Sequence, residues 1–188
     1  MRKVILNLAV SLDGYIEGPN GEYDWCFADQ DYGMEAFFES IDLIFMGRKS
    51  YDLISNTGDI NAFPQDKYVF SDTLDAEMNP LVSIIRKENF QEKVRAIKEQ
   101  DGGHIWLFGG AELIEAFLEL NMIDEFLLSI HPILLGSGKH LFKKLSDRVE
   151  LIHTGTQSYD SGLVQVRYVL KPKFDLSKLA GTNMPDLY

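Results

Sequence analysis

The sequence predicts an α/β fold with three layers, in which a mostly parallel central sheet is flanked by helices. The first strand-like segment, 4–10, is almost wholly apolar, as in a strand that is buried on both faces. Later apolar segments alternate with helix-like stretches, which is typical of a parallel sheet covered on both sides. Two long strand patterns at 149–158 and 163–170 meet at Ser161-Gly162, which predicts an antiparallel C-terminal hairpin.

The first third of the chain contains a long loop between a strand and a helix. Turn signals at Asp13-Gly14 and 18–21 follow the first strand, so residues 14–31 are expected to form a surface loop with a short extended piece at 15–16. Long loops in compact domains are often functional. The following elements are expected to be a helix at 31–40 with Phe37 and Phe38 facing inward, a strand at 43–46, a helix at 47–54 and a loop at 56–64.

The middle of the chain repeats the alternation of strand and helix. The amphipathic segment 89–100 carries Phe90, Val94 and Ile97 at helical spacing. The other expected elements are strands at 68–70, 81–85, 105–108 and 125–130, and a helix at 110–120. We expect one domain over residues 1–171 and a loosely held tail over 172–188.

Composition excludes several classes of partner. The 188 residues carry a formal charge of -11, which argues against nucleic acid or an anionic membrane surface as a partner. Cys26 is the single cysteine, so neither an intrachain disulfide nor a cysteine metal cluster is expected, and the histidines show no ligand spacing. No segment is apolar over the roughly 20 residues that span a bilayer, and no signal-peptide pattern is seen at the start. We therefore expect a cytoplasmic protein without a metal.

Two junctions between a strand and a helix carry the residues that suit a phosphate. Free backbone N–H groups and the positive end of the helix dipole face outward at such a junction. Gly109-Gly110 lets a ligand approach the backbone closely, and Arg48, Lys49 and Ser50 follow Gly47 in the first turn of another helix. Two such junctions in one domain suggest a dinucleotide. The alternatives are an ordinary tight turn at the glycines and a solvated surface turn at 47–50.

Carboxylates beside aromatic residues are candidates for a proton donor. Asp29 and Asp31 lie close in sequence to Trp25, Phe27 and Tyr32, and a desolvated carboxyl group has a raised pKa. Helix capping and solvation are the alternative roles of these carboxylates.

Together, the patches 46–51, 69–71 and 108–112 resemble the dihydrofolate reductase fold over residues 2 to 170. Within that superfamily, the turn 134–138 resembles the reductase domain of the bifunctional deaminase-reductase of riboflavin biosynthesis. A homodimer is expected from the same likeness, because those domains commonly pair.

The resemblance implies a role for each motif. Gly47, Arg48, Lys49 and Ser50 would bind the adenosine phosphate and pyrophosphate of NADPH, together with Ser71. The glycine motif and the helix start that cradle the pyrophosphate would be Phe108, Gly109, Gly110, Ala111 and Glu112. Ala9 and Ile16 fall where the family packs the nicotinamide, and Asp13 falls in its active-site loop. For the proton donor, Asp31 and Asp29 compete.

The expected activity is therefore transfer of a hydride from NADPH to a pterin-like or pyrimidine-like heterocycle. Asp72 beside Ser71 would repel a phosphate, which keeps NADH as the alternative cofactor. A relative that binds a dinucleotide but does not catalyse is the alternative function, and a structural or oligomeric protein without a cofactor is a further one.

Overall fold

The computed structural model describes residues 1–143, 145 and 147–172, and within them the chain forms an eight-stranded sheet with helices on both faces. The strands are β1 (Val4–Ser11), β2 (Tyr15–Glu17), β3 (Ile41–Gly47), β4 (Asp66–Phe70), β5 (Ser83–Ile85), β6 (His104–Gly109), β7 (Glu125–His131), β8 (Lys139–His140), β9 (Leu151–Ser158) and β10 (Val164–Leu170). The α-helices are α1 (Met34–Ser40), α2 (Arg48–Asn56), α3 (Phe90–Glu99) and α4 (Ala111–Glu119). Short 3-10 helices occupy Asp59–Ala62 and Lys87–Asn89.

The strand order in the large sheet is β5-β4-β3-β6-β1-β7-β10-β9. All pairs from β5 to β7 are parallel, and β10 pairs antiparallel with both β7 and β9. The predicted fold class is therefore confirmed, including the antiparallel hairpin at the C-terminal edge. Gly162 turns that hairpin with a φ of 88°, a left-handed conformation that favours glycine.

The central strands are buried on both faces, as their apolar sequences predict. In β3, Phe45 packs into the cluster that contains α3 and α4 residues, whereas Ile44 and Met46 pack into the cluster that contains α1 and α2 residues. Successive side chains of a strand point to opposite faces, so one apolar run supplies both layers of the core. Three layers follow directly: α1 and α2, the sheet, then α3 and α4.

Helix α1 begins later than the sequence predicts, at Met34 rather than residue 31. The Asp31 carboxylate accepts hydrogen bonds from the backbone N–H groups of Gly33 and Glu35, both at 2.8 Å. Asp31 therefore lies in the turn that leads into the helix, where acidic side chains bind free backbone donors. Phe37 and Phe38 do face inward, and both contact Trp106.

The sequence did not predict the pairing of β2 with β8, which form a separate antiparallel ribbon. This β2–β8 ribbon, defined as Tyr15–Glu17 with Lys139–His140, lies beyond the carboxyl ends of β1 and β7. The rings of Tyr15 and His140 stack with centroids 4.1 Å apart, and Leu141 N–H donates to the Gly14 carbonyl. The expected extended piece at 15–16 is thus a strand.

Other boundaries differ from the expected ones by a few residues at most, and the loop 56–64 contains a 3-10 helix. The expected tail from residue 172 lies outside the described residues, apart from residue 172 itself. No helix in the described part of the chain is long and apolar enough to span a membrane.

Candidate dinucleotide-binding cleft

A cleft of about 520 Å³ opens at the carboxyl ends of β3, β4 and β6. This is the edge of a parallel sheet at which α/β proteins usually bind ligands. Most of the predicted cofactor residues line it: Gly47, Arg48, Lys49, Ser50, Ser71, Gly110, Ala111 and Glu112. Three separate segments of the chain, 47–50, 71 and 110–112, are thus brought into one cavity.

The N-termini of α2 and α4 both open into this cleft. Gly47 precedes α2 and Gly110 precedes α4, and within the described chain no side chain caps either helix. A Cβ atom at Gly110 would come within 3.5 Å of Ser50 Oγ, so the glycine keeps the space between the two helix starts open. The first-turn N–H groups and both helix dipoles favour an anion here.

Two ion pairs fix the basic side chains at the start of α2. Arg48 Nε lies 2.7 and 2.9 Å from the two carboxylate oxygens of Asp52, and Nη1 makes a long hydrogen bond of 3.5 Å to Thr73 Oγ1, so the terminal guanidinium nitrogens keep N–H donors for another partner. Lys49 Nζ lies 3.2 Å from Glu112 Oε1 and so links α2 to the start of α4. Both side chains of the second pair are more than 75% exposed, so it contributes little to stability.

The loop after β4 is held in a fixed conformation. Ser71 Oγ accepts hydrogen bonds from Thr73 N–H and Leu74 N–H at 3.3 and 3.1 Å, which leaves its hydroxyl proton free to be donated. From the other side, Arg86 donates to the carbonyls of Ser71 and Leu74 at 2.7 and 2.8 Å. Both terminal nitrogens of Arg86 therefore hold the loop.

Asp72, which the sequence identifies as repulsive to a phosphate, is turned towards a backbone donor. Its Oδ1 accepts from Lys87 N–H at 2.8 Å. Lys87 and Asp72 both line the cleft.

The other predicted cofactor residues do not line this cleft. Ala9 and Ile16 are half-buried, Ala9 in β1 and Ile16 in β2, and Ile16 packs on the core. Phe108 is half-buried against Trp106, with ring centroids 4.9 Å apart. Gly109 has a φ of 119° and is joined to Gly110 by a cis peptide bond. Its carbonyl oxygen would lie 3.5 Å from a Cβ at Gly47, so Gly109 sits directly behind the cleft wall.

Asp13 has a clear structural task. Its carboxylate accepts from Ser11 Oγ at 2.6 Å and from Gly136 N–H and Leu135 N–H at 2.8 and 3.2 Å. The hydrogen bond from Ser11, followed by those from the backbone, lowers the pKa of Asp13. The side chain is therefore ionised at neutral pH and ties the end of β1 to the turn 134–136.

Asp29 and Asp31 are exposed, so the expected desolvation by the nearby aromatic rings is not found. Asp29 accepts from the hydroxyl of Tyr32 at 2.6 Å, and Asp31 binds the backbone at the start of α1. Neither carboxylate lines the cleft. The catalytic roles of these two residues and of Asp13 stay predictions, and the geometry gives each carboxylate another partner.

The aromatic residues of the loop surround a histidine instead. His131 is 2% exposed at the end of β7, and the rings of Trp25 and Phe27 lie 5.2 and 5.0 Å from its ring. Phe27 N–H donates to His131 Nε2 at 3.1 Å, so Nδ1 carries the proton that is donated to the Ser129 carbonyl at 3.0 Å. Burial lowers the pKa of His131 from its ordinary value of 6.5. The sequence analysis did not identify this neutral, buried imidazole, because its partners are far away in the chain.

Several cleft residues also escaped the sequence analysis. An apolar part of the wall is formed by Phe70, Ile85, Phe90, Leu113 and Ala116, and polar side chains come from Thr73, Lys87 and Lys139. In the sequence, Lys139 directly follows the glycine-rich turn 134–138, and that position is the signal that could have identified it. No signal of spacing marks the apolar wall, because its residues also look like ordinary core positions.

The cleft suits a phosphorylated dinucleotide. It combines two uncapped helix starts, hydroxyl and guanidinium donors and an apolar wall that can cover a planar base. Within the described residues, no group of three or more His, Cys, Asp or Glu side chains is arranged to hold a metal ion.

Comparison with known proteins agrees with this architecture. The chain is 44% identical over 179 residues to the uncharacterized protein YyaP of Bacillus subtilis (strain 168), covering 89% of this chain and 94% of YyaP. The structure of a diaminohydroxyphosphoribosylaminopyrimidine deaminase/5-amino-6-(5-phosphoribosylamino)uracil reductase from Thermotoga maritima superposes with a TM-score of 0.72 at 16% identity, covering 90% of this chain and 57% of that chain. Dihydrofolate reductase from Enterococcus faecalis, complexed with NADP(H), superposes with a TM-score of 0.63 at 16% identity, covering 90% and 97% of the two chains.

Both structural likenesses place the fold among dihydrofolate reductase-like proteins. The RibD C-terminal domain family matches residues 2–165, which is nearly the whole described chain. On this match, and with the fold and cleft described above, the chain belongs to the RibD C-terminal domain family.

Proposed function

We propose that this protein is an NADPH-dependent reductase that transfers a hydride to a pterin-like or pyrimidine-like heterocycle. The observation that carries the proposal is the cleft in which the N-termini of α2 and α4, Arg48 and Ser71 face one cavity. Membership of the RibD C-terminal domain family supports a reductase of the riboflavin-pathway type. When bound, NADPH would supply the hydride.

The residues of the chain would bind and orient the cofactor. The terminal nitrogens of Arg48 would contact the adenosine 2′-phosphate, because Asp52 already occupies Nε. Ser71 would donate its free hydroxyl proton to the same phosphate. Gly110 and the first turn of α4 would receive the pyrophosphate on backbone N–H groups. Because these donors are already held in place before binding, the protein loses less conformational entropy when the cofactor binds.

The substrate would bind beyond β1 and β7, near Trp25, Phe27 and His131. Aromatic side chains there suit a planar ring. The indole N–H of Trp25 is buried without an acceptor among the described residues, and a buried donor of this kind favours a ligand with a carbonyl oxygen. The exposure of Asp29 and Asp31 supports proton delivery from solvent rather than from a buried acid.

The alternative is a relative that binds the dinucleotide but does not turn it over. It is kept because the carboxylates that the sequence identifies as proton donors are engaged in structural hydrogen bonds. The cofactor proposal is common to both functions, and catalysis distinguishes them.

Two measurements test the proposal in sequence. A fluorescence titration with NADPH and with NADH should show saturable binding, with NADPH bound more tightly. Consumption of NADPH should then be followed with a panel of pterins, dihydropterins and aminouracils, including phosphoribosylated forms. Turnover of any of them supports the reductase. Tight binding of NADPH without turnover across the panel would favour the non-catalytic relative, and absence of binding would exclude both.

A further inference from the structure

One basic residue that lines the cleft, Lys139, belongs to none of the predicted phosphate-binding motifs. Lys139 lies in β8 and reaches the cleft through the β2–β8 ribbon. The other cations among its described lining residues, Arg48, Lys49 and Lys87, belong to α2 or follow β5. Lys139 therefore approaches the cavity from the opposite side.

Sheet topology fixes which end of the cleft Lys139 occupies. Ser71 follows β4, Gly110 follows β6, and β2 follows β1, in the spatial order β4-β3-β6-β1. Neighbouring strands lie about 4.8 Å apart, so the ends of β4 and β1 are separated by roughly 14 Å. Lys139 is thus on the side of Gly110, away from Ser71 and Lys87.

The partner of Lys139 lies on the ribbon rather than in the cleft. Lys139 Nζ is 3.0 Å from Glu17 Oε1, and the two side chains are 24% and 35% exposed. An ion pair between partly exposed side chains contributes little to stability. A phosphate can therefore replace the Glu17 carboxylate as the partner of Lys139 at little cost in free energy. A lysine ammonium also suits a phosphate as a mobile point charge.

The ribbon that carries Lys139 is held at the end of β1. Asp13 binds the backbone of the turn 134–136, and Leu141 N–H donates to the Gly14 carbonyl. Lys139 therefore projects from a ribbon that hydrogen bonds hold at the end of β1.

We propose that Lys139 is a binding residue for the pyrophosphate of the dinucleotide, donating from the ribbon side to the group that the start of α4 receives from the other side. The inference rests on the proposed function. The two side chains would bind different phosphate groups. Arg48 would bind the 2′-phosphate that only NADPH carries, whereas Lys139 would bind the pyrophosphate that NADPH and NADH share.

The test is a titration of NADPH and NADH with the unsubstituted protein and with Lys139→Met, Lys139→Arg and Arg48→Met. Lys139→Met should weaken both cofactors by a similar factor of about tenfold or more, as expected for loss of a charged hydrogen bond. Arg48→Met should weaken NADPH selectively. Lys139→Arg keeps the charge and should restore most of the affinity for both cofactors.

Glu17→Gln is the matched control, because it breaks the same ion pair but keeps the Lys139 ammonium. Its affinity for both cofactors should stay at or above that of the unsubstituted protein, and thermal unfolding should show that each variant is folded. Equal weakening by Glu17→Gln and Lys139→Met would assign Lys139 a structural role and overturn the inference. Unchanged binding in Lys139→Met alongside a loss in Arg48→Met would overturn it while leaving the proposed function intact. Absence of binding by the unsubstituted protein would overturn both.

Discussion

The candidate dinucleotide cleft and the surroundings of His131 lie at the same edge of the sheet but are built in opposite ways. The cleft is formed by side chains and backbone groups at two strand-to-helix junctions, 47–50 and 110–113, where Lys49 and Glu112 are exposed and Arg48 and Ser50 are half-buried. The surroundings of His131 consist of buried contacts between distant segments, such as the hydrogen bond from Phe27 across 104 positions of the chain. The first region is arranged to receive charge, and the second keeps an imidazole neutral.

This difference has a consequence for mutations. Substitutions in the cleft should change ligand affinity and leave the free energy of unfolding nearly constant. Substitutions around the loop 23–33 and His131 should change stability and its dependence on pH.

Gly110→Val should abolish measurable NADPH binding while the fold survives. Its side chain would occupy the space between the helix starts, and we expect an affinity loss beyond a hundredfold, about 2.7 kcal/mol. Gly110 has a φ of -58°, so valine causes no left-handed strain, and a Cβ meets nothing closer than Ser50 Oγ at 3.5 Å. Titration and thermal unfolding are the measurements. Gly155→Val in β9 is the control and should bind normally.

Arg48→Met should weaken NADPH by about ten- to a hundredfold, or roughly 1.5–3 kcal/mol, because a charge-assisted contact is lost. NADH should be affected far less, since it lacks the 2′-phosphate. Arg95→Met on the exposed face of α3 serves as the control for a change of net charge. Equal losses for both cofactors would place the 2′-phosphate elsewhere.

Asp31→Ala should lower the free energy of unfolding by about 1 kcal/mol, because the turn before α1 loses the acceptor of two backbone N–H groups. NADPH affinity should be unchanged. Urea denaturation measures the effect, with the exposed Asp101→Ala as the comparison. A large fall in turnover at unchanged stability would instead support Asp31 as the proton donor.

His131 should make stability depend on pH below its ordinary pKa of 6.5. The lowered pKa means that the unfolded chain takes up a proton that the folded chain does not, so the free energy of unfolding falls as the pH falls from about 6.5 towards the folded pKa. Above 6.5 the contribution is fully present. Denaturation of the parent and of His131→Gln across pH 5.5 to 7.5 should show a steeper decline in the parent. Parallel curves would contradict this account.

Most of the predicted cofactor residues lie together in one cleft, because each motif is a contiguous segment at the end of a strand; their binding of a cofactor stays a prediction. Within each of the segments 47–50 and 110–112, local turn chemistry places a glycine, a helix start and a polar side chain together, so each segment can be recognised without knowledge of distant contacts. The fold was predictable for a similar reason, since alternating apolar segments such as 4–10 specify strands that must be buried.

The acidic residues were harder to interpret, because proximity in sequence does not determine burial. Asp31 is adjacent to Tyr32, yet Tyr32 is buried whereas Asp31 is exposed. The Asp31 carboxylate accepts a hydrogen bond from a backbone N–H group just before α1. The environments of His131 and Lys139 depend on contacts between segments that are far apart in the chain. Phe27 of the loop contacts His131 of β7, and β2 pairs with β8, which carries Lys139. Their environments arise from tertiary contacts, which neither composition nor spacing reveals.

Amide chemical shifts, followed during an NADPH titration of the isotope-labelled protein, test whether NADPH binds where the two helix starts meet. The largest changes should occur at the backbone amides of 47–51, 71–74 and 110–113, and they should saturate with a single affinity. Small changes there, combined with large ones on a different surface or none at all, would contradict binding at this site.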